Sequence, residues 1–343
     1  MKKILALCLI SLSLVAEECC LQPIDFNEFG NFEVEDPLCL FLTADFLYWQ
    51  AKEDNLDYGI TTTNDFDLPI LKGEVLHMDF DFHPGVKVGF GVDFYWHDHW
   101  DLFGEWTYLN SHNNSEASFS DFTIFPSLLP PSVAQNSVAS SARANWKILY
   151  NTFDINLGRP FFSGEMLRLR PHGGVRGNYF RQKYSTYYRI SAPFNEIITM
   201  TSTFNSWGVG PRVGIESDWL LGYGCKIFGN VGFSLLFTLF NTREKGQDVI
   251  LSPGSVSIIP NSYIDKRHNN MARANIESIL GIGWEWYFDN CNWHADFTAG
   301  YEFQYWPDAN GDIRFFDTEA KGIHGTGGNL VLHGLTFMGR LDF

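Results

Sequence analysis

Ten segments of the chain alternate apolar with polar residues, and the connections between them are alternately long and short. Alternation with a period of two predicts a β-strand with one apolar and one polar face. The segments are Cys39–Ala51, Val75–Phe94, Trp100–Asn110, Ala142–Gly158, Met166–Gln182, Thr203–Asp218, Cys225–Phe240, Met271–Phe288, Trp293–Trp306 and Gly328–Phe343. The first connection, residues 52–74, is long, the second, 95–99, is short, and this order continues to the long connection 307–327.

This order of connections is typical of a transmembrane barrel with both termini in the periplasm, which has short periplasmic turns, long extracellular loops and an even strand number. A soluble sandwich has no reason to place every long loop at one end. We therefore predict an all-β fold, namely an up-and-down antiparallel transmembrane β-barrel of about ten strands with five long extracellular loops. The bacterial outer membrane is the expected location.

The final segment ends the chain on an aromatic carboxyl terminus. Its apolar residues share one parity, at Val331, Leu335, Phe337, Leu341 and Phe343. A soluble domain rarely ends on the last apolar residue of a strand, because termini usually fray. We interpret this segment as the strand that closes the barrel against Cys39–Ala51. Phe337, Leu341 and Phe343 are then the signal that the barrel-assembly machinery reads.

The amino terminus has the pattern of a secretory signal peptide. Lys2 and Lys3 precede an apolar run, Ile4–Val15, and the small residue Ala16 follows. The run is too short for a membrane-spanning helix. We expect residues 1–16 to be a signal peptide, residues 17–37 a periplasmic segment and residues 38–343 the barrel.

The composition favours a membrane barrel and disfavours nucleic acid as a partner. A net charge of -16 opposes binding to phosphates. Aromatic residues make up 16% of the chain, and interfacial Trp and Tyr form belts at both membrane surfaces. We predict an outer belt of Tyr48, Trp49, Trp106, Tyr108, Trp146, Tyr184, Trp207, Tyr305 and Trp306. The predicted inner belt is Trp96, Trp100, Trp219, Tyr223, Trp286, Tyr287, Trp293 and Phe343.

The segment Ala142–Gly158 changes parity along its length. Trp146, Ile148 and Tyr150 lead on one parity, and Phe153 begins the apolar residues of the other. We predict a β-bulge near Asn151 or Thr152 that returns all of these residues to one lipid-facing surface.

Several ordered motifs resemble a known family. They are Leu42–Gly59, His99–Ser111, Leu167–Tyr184, Trp207–Gly222 and Ala299–Trp306. Together they resemble the Legionella-type major outer membrane protein family, whose relatives in environmental chlamydiae are called MOMP-like proteins. The resemblance implies an abundant outer-membrane barrel with a porin-like or structural role, and it carries no catalytic residues to this chain.

The parity opposite to the apolar one would line the lumen. It carries Arg168, Arg170, His172, Arg176, Arg212, Glu216, Lys226, Arg273 and Glu277. One interpretation is a charged pore wall that selects solutes by the sign of their charge. The other is a salt-bridged plug, because a barrel of ten strands is little wider inside than its side chains need.

A weaker pattern is compatible with catalysis. Asp79, Asp81 and His83 fall near the outer end of the second segment, and paired carboxylates with a histidine can activate water in a surface protease of the omptin kind. The same residues more often only solvate the end of a strand. No second Asp/His pair stands out at a matching height, and we expect no enzymatic activity.

Five cysteines remain once Cys8 leaves with the signal peptide: Cys19, Cys20, Cys39, Cys225 and Cys291. All five map to the periplasmic side of the predicted barrel. An odd number in an oxidising compartment favours disulfides, at least one of them to another envelope protein or to a second copy of the chain. The alternative is free thiols near the turns. His97 and His99 are close, but no Cys/His set has zinc spacing, so we expect no metal and no cofactor.

The sequence thus predicts a porin-like protein through which small hydrophilic solutes diffuse. The alternative is a structural or adhesive surface protein, cross-linked by periplasmic disulfides and displaying its loops without an open pore. The expected partners are outer-membrane lipid, the barrel-assembly machinery, disulfide-linked envelope proteins or self, and small solutes.

Overall fold

The computed structural model describes residues 30, 39–63, 73–94, 99–118, 122–129, 138–190, 195–252, 255–289, 292–310, 313–317, 322–326 and 328–343. In these ranges the strands are β1 (Cys39–Glu53), β2 (Gly59–Thr63), β3 (Val75–Leu76), β4 (Phe82–Phe94), β5 (Trp100–Ser118), β6 (Phe122–Pro126), β7 (Ala139–Gly158), β8 (Phe161–Phe162), β9 (Leu167–Ile190), β10 (Asn195–Gly222), β11 (Cys225–Ser252), β12 (Ser255–Phe288), β13 (Trp293–Trp306), β14 (Ile313–Asp317), β15 (Gly322–Thr326) and β16 (Leu330–Asp342). None of the described residues forms a helix long and apolar enough to span a membrane.

Ten of these strands close a barrel, in the order β1, β4, β5, β7, β9, β10, β11, β12, β13 and β16. Each neighbouring pair is antiparallel, and β16 pairs with both β13 and β1. The final segment therefore closes the barrel against β1, as its alternation predicts. The prediction of a ten-stranded up-and-down barrel is confirmed.

The register fixes the width of this barrel. Paired residues can be followed once around it, from Gly281 on β12 through Leu47 on β1 and Tyr150 on β7 to Asn269, again on β12. The path returns 12 residues from its start, between positions 269 and 281. Ten strands with this stagger tilt by about 40° and enclose a backbone radius of about 10 Å.

The closing strand is held at both of its edges, by β1 and by β13. Phe343, which directly follows the strand, exchanges two backbone hydrogen bonds with Leu40, of 3.0 and 2.9 Å, and stacks on Trp293 with ring centroids 5.5 Å apart. Phe337 faces lipid beside Phe46 of β1, at 6.5 Å. The seam between the first and last strands therefore has the same pairing and packing as the other strand contacts.

Several predicted loops are in fact strand. Residues 183–190, 195–202, 241–252 and 255–270 extend β9 to β12, and β12 alone has 34 residues. The polar exterior of these extensions hid them from a search for lipid-facing strands. Beyond the membrane the outer face meets water, so the apolar parity turns inward and strand pairing continues.

The same inversion corrects the predicted bulge. Pairing of β7 with β5 is continuous from Asp101 to Ser118, with no shift at Asn151 or Thr152. Trp146, Ile148 and Tyr150 are therefore inside the barrel and fully buried, whereas Phe153 faces lipid. The change of parity marks the membrane boundary and involves no extra residue.

The aromatic belts are formed in part. On the outer side Tyr48, Trp106 and Trp207 are exposed to lipid, and on the inner side Trp100, Trp219 and Trp286 are. The prediction is wrong for Trp49, Trp146, Tyr184 and Trp306, which lie inside the barrel. Tyr108, Tyr305, Tyr287, Trp293 and Phe343 are half-buried, and Tyr223 is exposed in a turn. Trp96 lies outside the described residues.

Some predictions at the periplasmic end fall on residues that the structure does not describe. These are the signal peptide, residues 1–16, and the segment 17–37 apart from Gly30, whose backbone nitrogen donates to the Pro160 carbonyl over 3.2 Å. Cys19, Cys20 and Cys291 also lie outside the described residues, as does the side chain of Cys39. Cys225 is an exposed free thiol at the start of β11. The disulfides stay a prediction.

Candidate functional site in the barrel lumen

The lumen wall is built from the polar parity of the strands. The structure places all the predicted wall residues inside the barrel: Arg168, Arg170, His172, Arg176, Arg212, Glu216, Lys226, Arg273 and Glu277. They face inward because the alternate residues of the same strands, such as Val175 and Val213, are apolar and exposed to lipid. Each cation except Arg273 has at least one carboxylate partner.

The centre of the lumen is a buried ionic cluster. Arg176 donates to Asp154 over 2.6 Å and to Glu277 over 2.7 Å, and Arg212 donates to Glu277 over 2.9 Å. Arg212 also donates to Nε2 of His172, at 3.3 Å. These residues come from β7, β9, β10 and β12, so the cluster joins four strands. The carboxylates accept hydrogen bonds from the guanidinium groups, so few charges of this cluster are available to bind a solute.

A second set of ion pairs lies toward the periplasm. Its contacts are Arg168 with Asp218 at 2.5 Å, Lys226 with Asp296 at 2.5 Å, Arg170 with Glu216 at 2.7 Å and Arg340 with Asp342 at 2.6 Å. Arg170 also donates from Nε to Asp101, at 2.7 Å. The basic ladder of β9 is thus neutralised along its length.

The opposite wall carries an excess of acid. Lys87 donates to Glu302 over 2.8 Å, while Asp45 and Glu105 also face this lysine's side of the lumen. One carboxylate oxygen of Asp45, Oδ1, is buried and has no hydrogen-bond partner. Between the walls lies a cavity of about 230 Å³ lined by these charged groups. It has room for several water molecules.

The outer half of the lumen has a different filling. Tyr150 stacks on Phe180 at 4.7 Å, and Trp306 contacts Phe180 edge-on at 4.9 Å. The Arg273 guanidinium lies 4.3 Å over the ring of Phe240. We call the buried apolar side chains here the outer core; it includes Trp49, Trp146, Tyr150, Phe180, Tyr184, Tyr188, Trp306, Leu330 and Leu332. Sequence reasoning missed this core, and cations on the exterior parity, such as Lys147, were the available signal.

Two connecting segments cross the outer mouth. Residues 54–58, after β1, supply the carbonyls of Leu56 and Tyr58, which accept from the Tyr184 hydroxyl at 3.0 Å and the Tyr188 hydroxyl at 2.8 Å. Both tyrosines are on β9, which lies across the barrel from β1.

The second crossing segment is residues 307–310, after β13. The carbonyl of Ala309 accepts from Gln182 of β9 at 3.3 Å. The carbonyl of Asp308 accepts from Arg273 of β12 at 2.9 Å. The mouth is therefore bridged from wall to wall above the outer core.

One buried acid at this mouth, Glu53, lies beyond the lipid-facing residues of β1. Glu53 accepts from Gln182 at 3.2 Å, and its other oxygen, Oε1, has no hydrogen-bond partner. Burial raises the pKa of Glu53 to about 8, although the positive charge of Arg273 opposes the rise.

In the described part of the chain, no side-chain contact joins the His83 ring to the carboxylates of Asp79 and Asp81, which precede β4. The backbone nitrogens of Asp79 and Asp81 donate to Ser115 at 2.8 Å and Asn113 at 2.7 Å, and both carboxylates point to solvent. His83 contacts the Ser111 hydroxyl at 3.1 Å. A different pair, Asp57 and His77, is in contact at 2.5 Å on the exposed surface. The absence of enzymatic activity stays a prediction.

Comparison with known proteins supplies the family. The sequence profile described as "Legionella pneumophila major outer membrane protein precursor" matches residues 40–343. No curated protein matches the chain.

Solved structures give distant likenesses. The outer membrane protease OmpT from Escherichia coli is 10% identical over 92% of this chain and 98% of its own, with a TM-score of 0.42. A Pseudomonas aeruginosa FadL homologue is 6% identical over 94% and 98%, with a TM-score of 0.26. The Pseudomonas putida toluene transporter TodX is 6% identical over 90% and 90%, with a TM-score of 0.20. None of these likenesses bears on what this chain does.

The profile match covers nearly the whole barrel, from the second residue of β1 to the carboxyl terminus. It agrees with the closed ten-stranded architecture and with the lipid-facing apolar exterior. The chain belongs to the Legionella pneumophila major outer membrane protein family and is a β-barrel of the bacterial outer membrane.

Proposed function

We propose that this protein is a structural surface barrel of the outer membrane, whose lumen is closed to solutes in the conformation described. The observation that carries the proposal is the filled outer end of the lumen. The side chains of Trp49, Trp146 and Trp306 are 0% exposed, and two segments bridge the mouth above them.

A permeable pore needs a continuous path that water can wet, and apolar constrictions close pores by dewetting. With a backbone radius of about 10 Å, side chains as long as Trp and Arg reach the axis from opposite walls. The outer core lies above the ionic cluster, so the charged cavity has no described route through the mouth. These features support a closed barrel.

The long strands support a role in display. From Trp207, the last lipid-facing aromatic of β10, twelve residues lead outward to Asn195. β11 pairs with all of them, and β9 pairs with all but Asn195. At a tilt of about 40° this extension rises about 30 Å above the membrane. A paired sheet of this length is a stiff surface for contact with partners outside the cell.

A porin-like role is the second candidate. The specific observation in its favour is the charged cavity of about 230 Å³, with the unpartnered Asp45 oxygen in its wall. Solutes would pass only if the segments 54–58 and 307–310 left the mouth and the outer core rearranged. A gated channel, closed in this conformation, would have this construction.

Planar bilayers distinguish the two candidates. The full chain reconstituted at low voltage should show no steady conductance, and Trp49→Ala with Trp306→Ala should introduce openings by removing two rings from the outer core. The matched control is Trp207→Ala, which removes a lipid-facing ring. Steady single-channel conductance by the unmodified protein would overturn the closed barrel in favour of the porin-like role.

We also propose that this barrel is cross-linked to another envelope protein or to a second copy of the chain through its periplasmic thiols. Cys225 is exposed at the end of the barrel that faces the periplasm, where a partner thiol can reach it. Non-reducing gels of native membranes should show species larger than the monomer that disappear on reduction. A monomer alone on such gels would remove cross-linking from the proposal and leave the closed barrel untouched.

A further inference from the structure

The outer surface of the strand extensions carries a row of cations. Directly paired positions on β7, β9, β10, β11 and β12 hold Lys147, Lys183, Thr203, Arg243 and Lys266. All four cationic side chains are exposed on the exterior. Since neighbouring strands are about 4.8 Å apart, the row is about 20 Å long.

This arrangement is unfavourable without a counter-charge. Lys147 is directly opposite Lys183, and Arg243 is directly opposite Lys266. Like charges at directly opposed positions destabilise a sheet. Arg181, two residues before Lys183 on the same face, adds a fifth exposed cation.

The described carboxylates around the row do not neutralise it. Among the described residues, no ion pair joins these five cations to an acid, whereas Arg143 nearby on β7 pairs with Glu116 at 2.6 Å. The chain as a whole has a net charge of -16, so the row does not reflect a generally basic protein.

The height of the row places it beside lipid headgroups. On β9 and β10 it lies four residues outward from Tyr179 and Trp207, and on β11 six residues outward from Phe237, which are lipid-facing. A tilted strand rises about 2.5 Å along the barrel axis for each residue. Lys183 is therefore about 10 Å, and Arg243 about 15 Å, farther out than the lipid-facing residues of their own strands. Because directly paired positions run perpendicular to strands that tilt by about 40°, the row also climbs about 12 Å outward from Lys147 to Lys266.

We propose that Lys147, Lys183, Arg243 and Lys266, with Arg181, form a docking surface for the phosphorylated headgroups of lipids in the outer leaflet. Cations held in a row match an anion with several phosphates, because each phosphate can lie between two of them. The lipid remains in the membrane, so its phosphates stay beside the membrane-proximal end of the row, where Lys147, Lys183 and Arg181 lie. A free phosphate lacks both properties.

The test measures lipid binding by the purified full chain in a neutral detergent. The probes are a diphosphorylated glucosamine-based glycolipid and the same lipid after enzymatic removal of its phosphates. The phosphorylated lipid should bind at least about 25-fold more tightly than the dephosphorylated one and should raise the thermal unfolding midpoint. Each cation at an anionic lipid surface contributes roughly a five-fold effect, so Lys147→Gln with Lys183→Gln should weaken binding roughly 25-fold.

Matched variants separate binding at the row from a general effect of charge. Lys52→Gln removes an exposed cation of β1 outside the row and should leave the affinity unchanged. Without lipid, the double variant should unfold at the same or a higher temperature, because a like-charge pair is gone. Equal affinity of the double variant and the unmodified chain, or equal binding of the dephosphorylated lipid, would overturn the proposal. If inorganic phosphate alone raised the thermal unfolding midpoint as much as the phosphorylated lipid does, the proposal would also be overturned.

Discussion

The inner and outer halves of the lumen are lined by the same strands and filled in opposite ways. At the level of the membrane, β9 turns Arg168 and Arg176 inward, and carboxylates from other strands pair with them. Farther out, the same strand turns Phe180 and Tyr184 inward, against aromatic rings. The difference follows from the exterior, because lipid demands apolar residues outside and water permits polar ones. The medium outside a barrel therefore determines whether its inward-facing residues are polar or apolar.

The largest expected effect comes from breaking the inner half. Glu277→Gln leaves Arg176 and Arg212 buried with one carboxylate fewer between them. Removing one partner of a buried pair typically costs about 3–5 kcal/mol, and we expect a loss of that size in the unfolding free energy. Urea unfolding followed by tryptophan fluorescence measures it. Glu116→Gln, in an exposed pair with Arg143, should cost less than about 1 kcal/mol, and equal losses would contradict the assignment.

A smaller loss is expected from the outer half, where shape matters more than charge. Leu332→Ala empties a buried site in the outer core and should lower the unfolding free energy by about 2–4 kcal/mol. Leu335→Ala, three residues along β16 and facing lipid, is the matched control. The same unfolding experiment compares them. An effect of Leu335→Ala as large as that of Leu332→Ala would mean that the outer core is not tightly packed.

The acid at the border of the outer core should make stability depend on pH. Because its pKa is raised from 4.5 to about 8, Glu53 stays protonated when folded but ionises when unfolded across that range. Its contribution to stability is complete below pH 4.5 and declines as the pH rises toward 8. Glu53→Gln should gain about 1–2 kcal/mol over the unmodified chain between about pH 5 and about pH 8. Parallel pH profiles of the two proteins would exclude this role.

The smallest effect on stability is expected at the chain end, which belongs to neither half. Deleting Phe343 removes two backbone hydrogen bonds and one ring stack. Because a chain end frays and holds these contacts only part of the time, we expect a loss of about 1 kcal/mol, below the sum of their usual values. Outer-membrane levels should fall far more than this stability loss explains, since the assembly signal is also lost. Immunoblots of membrane fractions measure the outer-membrane level, and unfolding of the refolded variant measures the loss of unfolding free energy. Normal membrane levels would count against a signal at Phe343, and Phe343→Tyr is the conservative control.

The sequence predicted the exterior far better than the outer interior. Alternation of apolar and polar residues identifies lipid-facing positions such as Val213 and Phe233. The order of short and long connections predicts the number of strands. Trp49 and Trp306 could not be placed, because an apolar residue looks the same on either parity. The available clue was that Lys147 and Lys183 occupy the exterior parity, each directly beside a buried ring in the sequence. The pairing of Arg176 with Glu277 depends on the stagger of the barrel, which no short pattern encodes.

The segments that cross the mouth have a consequence for how the barrel can open sideways. Residues 54–58 follow β1 and residues 307–310 follow β13, and both segments lie at the outer end of the seam between β1 and β16. Both are hydrogen-bonded to β9 on the far wall, and Asn329 donates to Asp54 across the seam at 2.9 Å. Once these bonds form, parting β1 from β16 means pulling both segments off the opposite wall. The contacts of these two segments therefore oppose separation of β1 from β16 and stabilise the closed barrel.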